Sequence, residues 1–148
     1  MTAHIFTFNL LKEAKSFLCW DIFPQLAIQL APVQNAVAFY YPPSDHHAIV
    51  VFYMNSPDSC KEAFCLLFHE AGHVQQQQRY ANAGQDKEFS ANLNLDKGPV
   101  KQRFERQAWD FGRELLQQFL SGKKIATAIV LKQYDLYADK SIDTYGDI

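Results

Sequence analysis

"LLFHEAGHVQQQQRY" (residues 66–80) is the stretch on which the reading of this chain turns. Two histidines, His69 and His73, stand four apart, and Glu70 follows the first directly. On an α-helix, positions four apart lie about 40° from each other and one turn along the axis. Both imidazoles can therefore reach one cation. Glu70 is rotated about 100° from His69 and reaches a water beside that cation rather than the cation itself. That is the logic of HExxH: zinc acidifies a water, and the carboxylate takes its proton as the water attacks a carbonyl. With His69 as origin, Cys60, Phe64, Leu67, Phe68, Ala71 and Val74 fall between about 140° and 260°. They form one buried stripe and turn the histidines toward a cleft. Gly72 costs about 1 kcal/mol in a helix interior, so it predicts close approach by a neighbouring backbone or a substrate.

Upstream, "NSPDSCKEAF" starts this helix: Ser56 can cap, Pro57 suits the first position, and Asp58 and Glu62 favour the positive end of the dipole. The helix is predicted over 57–80, with the glutamine run as solvated helix surface. "NAVAFYY" (35–41) and "AIVVFYM" (48–54) read as two adjacent strands around the turn "PPSDHH". A first helix is predicted over 9–20, capped by Asn9, and a short second one over 21–31 with Pro24 in its first turn. Downstream, 82–100 is polar and reads as a loop with weak helical content, placed to border a site. A strong helix follows over 101–120. Residues 125–138 fit a helix, or a strand followed by a helix, and the tail 139–148 is expected to fray. The whole, 1–148, reads as a single helix-rich α+β domain with its core over about 35–120 and a two- or three-stranded sheet packed on the motif helix.

A catalytic zinc needs a third protein ligand and an open fourth position. No histidine follows His73, and Gln76 and Arg79 occupy the places where HExxHxxGxxH would put its glycine and third histidine. The ligand must come from the upstream histidines or from a carboxylate. In "RFERQAWDFGRELLQQFL" (103–120), Glu105, Trp109, Gly112 and Leu116 share one stripe within about 60°, flanked by Phe104, Ala108, Phe111 and Leu115. Arg106, Asp110, Arg113, Glu114 and Gln117 form the opposite, polar face. Glu105 thus points with the core and needs a cation or a set of donors there. Gly112 on the same stripe would let this helix lie close to the motif helix.

Together, "HEAGH" and "ERQAWDFGRELL" resemble the ImmA/IrrE family of metallopeptidase domains, which carry HExGH on one helix and E-x-x-A-x-x-F-A/G-x-x-L-L on a second. His69, Glu70, Gly72 and His73 match the first pattern; Glu105, Ala108, Phe111, Gly112, Leu115 and Leu116 match the second. The likeness spans about 35–120 and includes the strand, turn and capped helix before the motif. It implies a zincin-like fold of gluzincin type, Zn2+ held by His69, His73 and Glu105, and Glu70 as general base. It also implies a protein or peptide substrate, since members of the family often cleave a helix-turn-helix repressor.

Composition narrows the partners. A net charge of −2 argues against broad electrostatic capture of nucleic acid or anionic lipid. The first twenty residues lack the pattern of a signal peptide, and no apolar run reaches membrane-spanning length. Cys19, Cys60 and Cys65 are an odd set with no CxxC pair, which fits free thiols and a cytoplasmic setting. Cys60 and Cys65 read as packing residues. For a group that stabilises the transition state, Tyr80, Tyr134, Tyr137, His46 and His47 are all open, although the two histidines sit in a turn and read as solvated. The competing function is a catalytically silent, zinc-pinned interaction or regulatory module. Intact Glu70 favours the enzyme.

Overall fold

The computed structural model describes residues 5–146. It is α+β and helix-rich. Helix α1 (Phe8–Ser16) widens into a π-helical turn (Phe17–Ile22), and then come strands β1 (Ala27–Ala31), β2 (Val37–Tyr41) and β3 (Ala48–Phe52). Helices α2 (Pro57–Asn82), α3 (Asp86–Leu93), α4 (Pro99–Leu120) and α5 (Thr127–Asp143) complete the chain. The sheet order is β1-β3-β2, with β1 parallel and β2 antiparallel to β3. β2 packs on α2 and is a sheet edge. Ile49 and Val51 of β3 are buried, as period-two alternation on a half-covered sheet requires.

The two long helices follow their predicted phases. Ser56 caps α2 through its hydroxyl, which accepts from the Ser59 N–H at 3.3 Å, and Pro57 occupies the first turn. Cys60, Phe64, Leu67, Phe68, Ala71 and Val74 are all buried, and Phe64 and Phe68 join Phe6 and Phe119 in an aromatic cluster. Cys65 is also buried, and burial pushes its thiol up to about 12, so it packs rather than reacts. On α4, Phe111 is only half-buried and lies under the Arg79 guanidinium, 5.0 Å from its ring centre, so that edge of the predicted apolar face is a cation–π contact.

α2 and α4 cross backbone to backbone at Gly72 and Gly112. A Cβ on Gly72 would lie 2.8 Å from the Ala108 carbonyl carbon and 2.9 Å from the Gly112 nitrogen, and one on Gly112 would lie 2.9 Å from the Phe68 carbonyl carbon. Gly72→Ala therefore has opposed effects. Intrinsic propensity favours alanine by about 1 kcal/mol, but the methyl group drives into main chain that has no rotamer to yield. Overpacking of side chains costs roughly 1–3 kcal/mol, and a backbone clash lies at or above the top of that range. The net expectation is a loss of about 2 kcal/mol or more, seen as a melting temperature lower by several degrees. A variant as stable as the parent would contradict the close crossing.

Several short segments depart from the sequence reading. Residues 21–31 form the end of the π turn and β1, not a helix: Ile28 is buried between exposed Ala27 and Gln29, and the open edge of β3 takes up the strand's hydrogen bonds. α1 is capped by Thr7, whose hydroxyl accepts from the Leu10 N–H at 3.1 Å, rather than by Asn9. The polar stretch 82–100 contains α3, held by Phe89, which is buried against Tyr80 and Phe104. Residues 127–138 are helical as part of α5, and 125–126 precede it. That helix runs through Asp143, and the Tyr145 carbonyl accepts from the Gly98 N–H at 3.0 Å, so the expected fray does not begin at 139. Residues 147–148 lie outside the described residues. No helix among the described residues is long and apolar enough to cross a membrane.

Candidate metal centre

His69 and His73 point from α2 toward Glu105 on the first turns of α4. The Glu105 Oε1 lies 3.0 Å from His69 Nε2 and 3.3 Å from His73 Nε2. One donor atom from each residue falls within 4.8 Å of the other two. The three residues are 5%, 3% and 2% exposed. In a tetrahedral site with bonds of about 2.0–2.1 Å, neighbouring ligand atoms sit roughly 3.3 Å apart. The two edges to Glu105 match that span, and the group has the burial and donor chemistry to hold a metal ion.

The environment of each ring agrees. Gln76, which is fully buried, donates through its Nε2 to the Phe104 carbonyl and to Gln107 Oε1, both at 2.9 Å. Those two donations fix its amide, so its Oε1 must accept from His73 Nδ1, at 2.8 Å. With a proton on Nδ1, Nε2 can offer its lone pair to a cation. His69 stacks on Trp109 at 4.1 Å between ring centres and 14° between planes, while its Nδ1 is buried without a partner. Burial works against charge on His73, yet the hydrogen bond and charge of Glu105, with help from Glu70 and Gln76, raise its pKa overall. Burial likewise raises the Glu105 pKa, but hydrogen bonds and charge from His69 and His73 outweigh it and hold the carboxyl well below the usual carboxylate range. Lys101, 5% exposed, adds its Nζ 3.2 Å from Glu105 Oε2. Glu105 is thus an anion that three other groups surround.

A cleft of about 370 Å³ opens on this group. Glu70 lines it with His69 and His73, and β2 contributes residues 37–40 along its free edge. A larger surface groove of about 920 Å³ lies between α1 and the end of α4, but it contains none of the motif residues and has no place in the chemistry.

The five candidate stabilising residues separate. Tyr137 lines the cleft. Tyr134 does not: it is buried between α4 and α5 and donates to the Trp109 carbonyl at 2.7 Å. Tyr80 packs on Phe89 and Phe104 outside the cleft. His46 is exposed beside Asp45. His47 is half-buried rather than solvated, with Nδ1 enclosed and its pKa lowered by that burial. Neither histidine lines the cleft. Two tyrosines that the sequence reading passed over do. Tyr40 stacks on His73 at 6.1 Å with its hydroxyl buried and unpartnered, and Tyr145 comes from the stretch expected to fray. Burial, then the charge of Glu70, raises the Tyr40 pKa; burial with Glu105 and Glu70 pushes Tyr145 up to about 12. Both are neutral hydroxyls that can donate a hydrogen bond.

Gln76 also had a readable signal. It is seven residues after His69 and shares its face, but a run of four glutamines reads as surface by composition. Lys101 lies four residues before Glu105, one turn away on the same face, and was hidden by the ordinary expectation that lysines are solvated.

No family model, curated protein or solved structure matches the chain.

Proposed function

We propose that this chain is a zinc-dependent metallo-endopeptidase of zincin-like fold, with His69, His73 and Glu105 as metal ligands and Glu70 as general base. The observation that carries the reading is the convergence of two imidazole nitrogens and a carboxylate oxygen in one buried group, at the floor of a cleft that Glu70 also lines. The donor set of two histidines and a carboxylate is that of catalytic rather than sulfur-rich structural zinc. A zinc ion held there supplies the acidification of a water and the polarisation of a carbonyl.

The chain's own residues do the rest. Glu70 takes the proton of the attacking water and returns it to the leaving amine. The free edge of β2 offers main-chain donors and acceptors to an extended peptide laid along the cleft. Gln76 holds His73 in the ligating tautomer, and Trp109 covers one face of His69. The likeness to the ImmA/IrrE pattern suggests a protein substrate such as a helix-turn-helix repressor. The three free thiols suit a cytoplasmic enzyme.

The silent zinc-pinned module draws on one observation, the deep burial of all three ligands. Metal analysis combined with a peptide-library digest separates the two readings. The expected result is one zinc per chain and cleavage that stops when a chelator strips the ion and returns when zinc is restored. Cleavage that survives stripping would overturn the metallopeptidase reading. A zinc-loaded chain that cleaves neither the library nor a captured protein partner would leave the module.

A further inference from the structure

Lys101 is a buried lysine in a protein with few buried charges, and it sits against the metal group. A buried ammonium is costly unless its donors are used. Here Nζ donates to the Leu93 carbonyl at 2.7 Å and the Asn92 carbonyl at 3.4 Å, and forms an ion pair with Glu105 Oε2 at 3.2 Å. The two carbonyls belong to the C-terminal end of α3, where the helix dipole favours a cation. The rings of Tyr145 and Phe104 flank the ammonium, with centres 5.3 and 5.6 Å away. Two carbonyls, a carboxylate and two aromatic rings thus enclose the cation.

The two oxygens of Glu105 are thereby divided. Oε1 faces both histidines, and Oε2 faces Lys101. A carboxylate can hold a metal through one oxygen or both, and the choice changes the coordination number. We propose that Lys101 is a positioning residue for the metal centre: it occupies Oε2 so that Glu105 presents Oε1 alone, and it ties that presentation to the docking of α3 on the cleft wall. This rests on the metal-binding reading above. The role is separate from catalysis, because Lys101 acts through Glu105 and not on a substrate.

The test uses cobalt(II) as the probe ion in the full chain, because its visible absorption is intense in a four-coordinate site and weak at higher coordination. Wild type is expected to take up one cobalt with intense bands. Lys101→Met, which keeps the stem and removes the cation, is expected to bind cobalt with bands severalfold weaker, as Oε2 turns to the metal. Amide exchange over residues 86–93 should also quicken in the variant. A Lys101→Met spectrum identical to wild type overturns the proposal, and unchanged exchange in α3 overturns the coupling. Wild type that takes up no cobalt and no zinc overturns the metal reading itself, and this inference with it. If the variant does not fold, a crystal structure of zinc-loaded wild type decides. Oε1 on the ion with Oε2 on Nζ supports the assignment; both oxygens on the ion overturn it.

Discussion

Glu105→Ala is expected to lose zinc and stability together. Zinc held by protein ligands has an apparent binding free energy of roughly 10–16 kcal/mol in structural sites. Losing one ligand of three removes about a third of that, or roughly 3–5 kcal/mol, which is a fall of roughly 10²–10⁴ in affinity. The metal-free chain should suffer as well. Lys101 would keep its buried ammonium with no anion beside it, and breaking a buried pair by removing one partner costs about 3–5 kcal/mol. Chelator competition measures the first effect and thermal unfolding of stripped protein the second. Asp110→Ala is the control, because that carboxylate is exposed on the polar face of the same helix. Zinc retention equal to wild type in Glu105→Ala would sink the ligand assignment.

Glu70→Gln separates the base from the ligands. The amide keeps the shape of the side chain but cannot take a proton. Peptide cleavage is expected to drop by about 10²–10⁴, the usual contribution of general acid–base catalysis. Zinc content should not change, because Glu70 lines the cleft and lies outside the ligating group. Equal zinc with unchanged proteolysis would end the enzyme reading. An inactive protein with an intact site is also the bait for its own substrate, and a partner retained by Glu70→Gln and released by wild type would name that substrate.

The parts of this arrangement that were legible in the sequence are those set by helical phase. The buried stripe of α2, the inward turn of Glu105 and the two glycines follow from periodicity on long helices, where each residue's direction is fixed by its neighbours. What escaped was decided by distant partners. β1 is a strand because β3 has an edge for it, and its five residues are too few to declare a period. α3 is a helix because Phe89 finds an aromatic pocket between α2 and α4, while its remaining residues are mostly polar. Tyr145 reaches the cleft because its carbonyl meets the Gly98 N–H from 47 positions away. Lys101 and Gln76 were masked by the usual habits of their residue types, although their phase placed both on the site's face.

The crossing at Gly72 and Gly112 has a consequence for ion selection. The distance between the histidine pair and Glu105 is set by main chain resting on main chain, not by side chains that could repack around a substitution. Drift in the core away from Gln76, Lys101 and Trp109 can therefore proceed without altering the spacing of the two helices that carry the three donors. Substitutions at 72 or 112 would act differently: each added carbon would push the helices apart and open the cage toward larger, oxygen-preferring cations. Under the proposed metal reading, two absent methyl groups would set the gauge for ion size.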